Sequence, residues 1–193
     1  MKLVIIDYGA GNIKSIQFAF KRLGYNARLS SSIEEIKAAD KVIFPGVGEA
    51  SSAMKKLKES GLDTLIPTLK QPVLGICLGM QLMCNSTEEN STVGLGIFNT
   101  SVKRFGSNVK VPQISWNTIV SLKSDLFKEI EESSFMYLVH SYYAENCAEQ
   151  IAITNYGIDY ASALKKDNFY GVQFHPEKSS KVGEQVLRNF LKL

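Results

Sequence analysis

A chain of 193 residues with 45% apolar and 21% charged residues is long enough for one domain whose core needs no staples. Its three cysteines, Cys77, Cys84 and Cys147, are odd in number and lack CxxC spacing, which argues against a disulfide framework and a zinc cage. The net charge of +3 is spread thinly, with no basic run among aromatics and no stretch apolar enough to cross a bilayer, so neither nucleic acid nor membrane is an expected partner.

The amino terminus is apolar at once and then meets Asp7, unlike a signal or transit peptide, and a cytoplasmic location is expected. Lys2 to Ile6 reads as a buried strand and Asp7 to Gly11 as a turn. Ile13, Ile16, Phe20 and Leu23 then share one helical face that Gly24 terminates. The pair Gly9 and Gly11 invites a dinucleotide reading, but the third glycine of that fingerprint would fall at Lys14, and the match fails. A second strand, Ala27 to Ser30, precedes Ser32-Ile33-Glu34-Glu35, the pattern of a capping box opening a short helix.

Lys41 to Phe44 is the third strand. It runs into Pro45-Gly46-Val47-Gly48, which is either an ordinary strand-to-helix turn or a segment able to aim its N–H groups outside the sheet. A helix follows from Glu49 to Glu59, with Ala53, Met54 and Leu57 inward, and a shorter one begins at Leu62. The central strand then ends in Gly75-Ile76-Cys77-Leu78-Gly79. This βαβα order predicts a mostly parallel sheet with helices on both faces and sites at the carboxyl ends of strands.

Beyond Glu88 the pattern changes. Gly94-Leu95-Gly96, then Thr100–Phe105, Lys110–Pro112, Asn117–Leu122 and Phe135–Val139 suggest shorter strands joined by turns, in an antiparallel or mixed arrangement. Ile151–Thr154 and Ala161–Leu164 follow, Asp167-Asn168 makes a turn, and Tyr170–Phe174 returns as the second arm of a hairpin. Val182, Val186, Phe190 and Leu191 define a closing amphipathic helix, with Ser179 or Ser180 as its cap. The expected fold class is α/β: a single three-layer domain over residues 1–193, with an additional antiparallel portion in its C-terminal half.

Cys77 is the centre of the chemistry. A side chain at the tip of a tight strand-to-helix turn needs glycines around it, and the following helix directs unpaired N–H groups at the sulfur, favouring thiolate. A small buried apolar cysteine between packing glycines is the alternative. A catalytic thiol also needs an imidazole, and only two histidines exist. His175 stands in His175-Pro176-Glu177, where extended chain would bring Glu177 to the same side as the ring and fix its tautomer. His140 has no carboxylate at that spacing and is expected to be structural or part of a substrate wall. The histidines lie 35 positions apart without helical pairing, so a zinc site is not expected.

Together, Gly75-Ile76-Cys77-Leu78-Gly79-Met80-Gln81, His175-Pro176-Glu177 and Pro45-Gly46-Val47-Gly48 resemble the class I, triad-type glutamine amidotransferases. More narrowly, Asp7-Tyr8-Gly9-Ala10-Gly11-Asn12 and His175-Pro176-Glu177-Lys178-Ser179-Ser180 resemble the glutaminase subunits of imidazole glycerol phosphate synthases, over essentially the full length. The resemblance implies a flavodoxin-like sheet and a Cys77 that attacks the side-chain amide of L-glutamine, with His175 and Glu177 completing the triad. It implies an oxyanion hole from the N–H groups of Leu78 and the Gly46-Val47 stretch, and a glutamine pocket from Gly48, Gln81, Glu89, Ser141 and Tyr142.

It further implies a (β/α)8-barrel cyclase partner that receives ammonia in a heterodimer, with Asn12, Trp116, Tyr137 and Lys178 facing that partner. No metal or organic cofactor is implied. Where the family usually has proline, histidine, methionine, glycine, tryptophan, asparagine, this chain has Pro112-Gln113-Ile114-Ser115-Trp116-Asn117. That departure keeps open a paralogous glutaminase serving an amidino-sugar synthase. A stand-alone cysteine hydrolase and an inactive scaffold are the other classes. A chaperone-type hydrolase would often carry histidine after the cysteine, where this chain has Leu78.

Overall fold

The computed structural model describes residues 1–9 and 11–193; Ala10, inside the expected Asp7–Gly11 turn, lies outside the described residues. Strands β1 (Leu3–Ile6), β2 (Ala27–Ser30), β3 (Lys41–Phe44) and β4 (Val73–Ile76) alternate with helices α1 (Ile13–Arg22), α2 (Ile33–Lys37), α3 (Ala50–Glu59) and α4 (Leu62–Leu65). β1, β3 and β4 are buried along their whole length, as strands covered on both faces must be. Pairing is parallel from β2 through β1 and β3 to β4.

After β4 come α5 (Leu78–Leu82), β5 (Cys84–Thr87), β6 (Thr92–Val93), β7 (Phe98–Arg104), β8 (Gln113–Ile119), β9 (Ser134–His140) and β10 (Tyr142–Ala144). β11 (Gln150–Asn155), β12 (Asp159–Lys166), β13 (Phe169–Val172) and α6 (Ser180–Lys192) complete the chain. β13 returns into the sheet parallel to β4 and antiparallel to β12, the expected hairpin. The sheet continues through β10, β7, β5 and β6, and β11 pairs with β12. β8 and β9 form a separate antiparallel pair.

Successive strand residues point to opposite faces, so each strand feeds two cores. Val4, Ile6, Val42 and Phe44 meet Ile36, Ala53, Met54, Leu57 and Leu62 from α2, α3 and α4. Leu3, Ile5, Ile43 and Leu74 meet Ile16 and Phe20 of α1, Val186 and Phe190 of α6, and Met136 and Leu138 of β9. The architecture is therefore three layers, helices on both sides of one sheet.

Several expectations needed correction. Ser32 accepts the Glu35 N–H at 3.3 Å, but Glu35 turns its carboxylate to Arg28 instead of closing the box. Lys110–Pro112 forms no strand, and the strand expected at Asn117–Leu122 begins at Gln113 and ends at Ile119. The last arm of the hairpin stops at Val172, two residues short of Phe174. Ser179 occupies the cap position of α6, but its hydroxyl donates to the His175 carbonyl at 2.7 Å rather than capping the helix.

Candidate active site

The site forms where β3, β4 and β13 end. Cys77 follows β4 directly with φ 53° and ψ −112°, a left-handed conformation that costs a non-glycine residue on the order of 1–3 kcal/mol. Neighbouring glycines make the turn possible. A Cβ on Gly79 would strike the Phe44 carbonyl oxygen, and one on Gly46 would lie 2.6 Å from the Gly79 nitrogen. The β3 end and the start of α5 can thus touch backbone to backbone only with glycine at both positions. α5 has just five residues, so its dipole is a smaller aid to the thiolate than a long helix would be.

His175 reaches Cys77 from the end of β13. Its N–H is held by the Tyr137 carbonyl at 2.9 Å and its carbonyl by the Ser179 hydroxyl, which itself accepts the Tyr137 N–H at 3.0 Å. Glu177 does not sit in extended chain, as expected, but in a single 3₁₀ turn, Pro176–Lys178. That turn still places Glu177 Oε1 2.9 Å from His175 Nδ1, with both side chains buried. Nδ1–H donating to the carboxylate leaves Nε2 for the sulfur. Burial alone would lower the imidazole pKa, but hydrogen bonds to the Cys77 sulfur and to Glu177 outweigh it and lift the value to about 10. The ring is poised as imidazolium beside the sulfur.

A cavity of about 300 Å³ opens over the sulfur, at the small end of ligand pockets and suited to a free amino acid. Val47, Gly48, Cys77, Leu78, Gln81, Glu89, Ser141, Tyr142 and His175 all line it. Gly46 lies just behind, packed on α5, and Leu78 as first residue of that helix has an N–H without an intrahelical acceptor. The Pro45–Gly48 segment is tied at both ends. The Tyr8 hydroxyl donates to the Pro45 carbonyl at 2.7 Å, and the Ala50 N–H donates to Glu89 at 2.8 Å. Glu89 is half-buried, and that burial raises its carboxyl pKa, an effect the Ala50 N–H opposes.

His140 also lines the cavity, as wall rather than base. It is buried, its Nδ1 lies 2.7 Å from the Tyr142 carbonyl, and burial lowers its pKa to about 4, so it is neutral at pH 7. Lys178, expected only at the partner face, lines the cavity too, with its ammonium 5.9 Å from the Tyr137 ring centroid. Tyr137 in turn meets Trp116 edge-on at 5.9 Å. Asn12 precedes α1, which packs against the Pro176–Lys178 turn. Sequence reading missed Gln173, fully buried beside the sulfur. The available signal was a polar residue inside the apolar run Gly171-Val172-Gln173-Phe174, since such a group is buried only with partners. Among the described residues no cluster of metal-ligating side chains is present.

A thiol on a strained strand-to-helix elbow and an imidazole–carboxylate pair thus line one cavity at the edge of a three-layer sheet, an arrangement able to support nucleophilic thiol chemistry. The chain belongs to the glutamine amidotransferase class-I family, whose model matches residues 4–193. It is 56% identical to the imidazole glycerol phosphate synthase subunit HisH of Bacteroides fragilis, with both chains covered completely. It is 45% identical to the HisH subunit of Haemophilus influenzae, covering 99% of this chain and 97% of that one. A solved structure described as a glutamine amidotransferase superimposes with a TM-score of 0.77 at 20% identity, covering 98% of this chain and 97% of its own, which speaks to the fold.

Proposed function

We propose that residues 1–193 form one glutaminase domain, the glutamine-hydrolysing subunit of an imidazole glycerol phosphate synthase in histidine biosynthesis. It acts in the cytoplasm as a heterodimer with a (β/α)8-barrel cyclase. The observation that carries this reading is the Cys77 sulfur on its strained elbow and a His175 that Glu177 orients, both lining one amino-acid-sized cavity. The HisH name of full-length relatives favours the histidine-pathway cyclase over an amidino-sugar synthase.

In this reading the Cys77 thiolate attacks the side-chain carbonyl carbon of glutamine while the Leu78 and Gly46–Val47 N–H groups receive the oxyanion. His175 then donates its Nε2 proton to the departing nitrogen as the C–N bond breaks, releasing ammonia and leaving a γ-glutamyl thioester. Water attacks the thioester with its proton passing to His175, and the sulfur leaves to give glutamate. Gln81, Glu89, Ser141 and Tyr142 bind the rest of the substrate. Ammonia passes to the cyclase, which uses it to make imidazole glycerol phosphate and an aminoimidazole carboxamide ribotide.

The test is glutamate release by the purified chain, alone and with the cyclase of the same organism, with and without the cyclase's ribonucleotide substrate. Slow turnover alone and strong stimulation by the loaded cyclase are expected. Equal rates in all arms would remove the coupling, and no turnover in any arm would remove the glutaminase.

A further inference from the structure

A hydrogen-bonded chain runs from the pocket wall to the sulfur, and its polarity is fixed. The Tyr142 carbonyl can only accept, so the atom of Gln81 lying 2.9 Å from it is the amide nitrogen. That same nitrogen lies 2.9 Å from the Gln173 side chain, which must therefore present its oxygen. The Gln173 nitrogen is thereby turned toward Cys77 Sγ, at 3.6 Å. Both hydrogens of the Gln81 amide are spent in this chain, and Gln173 is fully buried, away from bulk solvent.

Around the sulfur the groups divide by charge state. The Val139 carbonyl, 3.8 Å away, suits a thiol that donates, whereas the Gln173 N–H and the His175 ring suit a thiolate that accepts. The five-residue helix behind Cys77 supplies little more.

We infer that Gln173 is a further catalytic residue: its side-chain N–H holds the Cys77 sulfur as an aimed thiolate, and Gln81 and the Tyr142 carbonyl lock that amide in place. The inference rests on Cys77 being the nucleophile. It makes Gln81 serve the sulfur as well as the substrate, because its nitrogen fixes Gln173 while its oxygen alone remains for a ligand.

Two variants separate the donor from its packing. Gln173→Glu keeps the size and an oxygen for Gln81 but removes the N–H aimed at sulfur; Gln173→Met keeps the volume and removes both. Each is assembled with the cyclase and treated with iodoacetamide, and modification is localised to Cys77 by fragmentation mass spectrometry, which separates it from Cys84 on the same Gln71–Lys103 peptide and from Cys147. A hydrogen bond to a charged group is worth enough to expect about tenfold slower alkylation at pH 7 in both variants, recovering at alkaline pH. For glutamine hydrolysis, kcat is expected to fall by a similar factor, with KM changing less.

Alkylation at the wild-type rate in the Met variant, which has no donor in either protonation state, would overturn the assignment, whatever happened to turnover. So would lost turnover with an unchanged alkylation profile, which marks a packing role. The alkylation arm reads Cys77 without glutamine, so a failure of the glutaminase reading would appear only in the wild-type turnover.

Discussion

Two histidines on one wall of the cavity carry opposite protonation states, and each follows from its partners. His175 meets a carboxylate and a sulfur and is lifted from 6.5 to about 10; His140 meets a carbonyl and a phenol in a dry setting and falls to about 4. A raised folded pKa gives stability that is whole below 6.5 and lost as pH rises through 10. A depressed one gives stability that is whole above 6.5 and lost as pH falls toward 4. The two contributions coincide near pH 6.5, where urea midpoints of the wild type are expected to peak. His175→Gln should flatten the alkaline limb and leave the acid limb; retention of the alkaline limb would detach it from this ring. In turnover, Cys77→Ala is expected to abolish glutamine hydrolysis while cyclase binding persists, and residual hydrolysis would remove the sulfur from the reaction.

At the scale of elements, backbone contact between the β3 end and α5 is what holds the elbow. Gly79→Ala would force a methyl into the Phe44 carbonyl, and a loss of about 3 kcal/mol is expected from overpacking. Gly24→Ala meets open space and pays only for its φ of +87°, about 1 kcal/mol. Urea midpoints of the two variants compare a clash with a backbone cost; equal losses would mean that the elbow yields. The parallel half was legible because its strands are short apolar runs with turn residues at both ends, and β2 and β3 fall at the expected residues. β5 was not foreseen: Cys84-Asn85-Ser86-Thr87 has no apolar alternation and is a strand only through its pairing with β6 and β7. That Cys77, His175 and Glu177 come together could be read from motif and spacing. Gln173 could not be placed at the site, because its tie to it runs through Gln81, 92 positions away.

Across the whole molecule, the departure at Gln113-Ile114-Ser115 takes on a different meaning once the β8–β9 pair is folded. Gln113 faces inward, fully buried against the Tyr160 hydroxyl, so of the first two changed positions only Ile114 shares the outward face with Trp116. That face continues across the register: Ile114 opposite Val139, Trp116 opposite Tyr137, Thr118 opposite Phe135. Ile114, Trp116 and Phe135 are 61%, 49% and 57% exposed, an apolar strip too continuous to be ordinary surface. The strip begins at the cavity, whose lining includes Val139 and Lys178, so a partner seated there would cover the cavity mouth. Tryptophan at the centre of such a patch is the residue type that dominates interface energies. Trp116→Ala is expected to cost about 2 kcal/mol of cyclase affinity, roughly a 30-fold weaker Kd by calorimetry, with Cys77 alkylation unchanged. Val93→Ser, at an exposed position on β6, should bind as the wild type does. If Trp116→Ala also bound like the wild type, the cyclase would have to seat on another face.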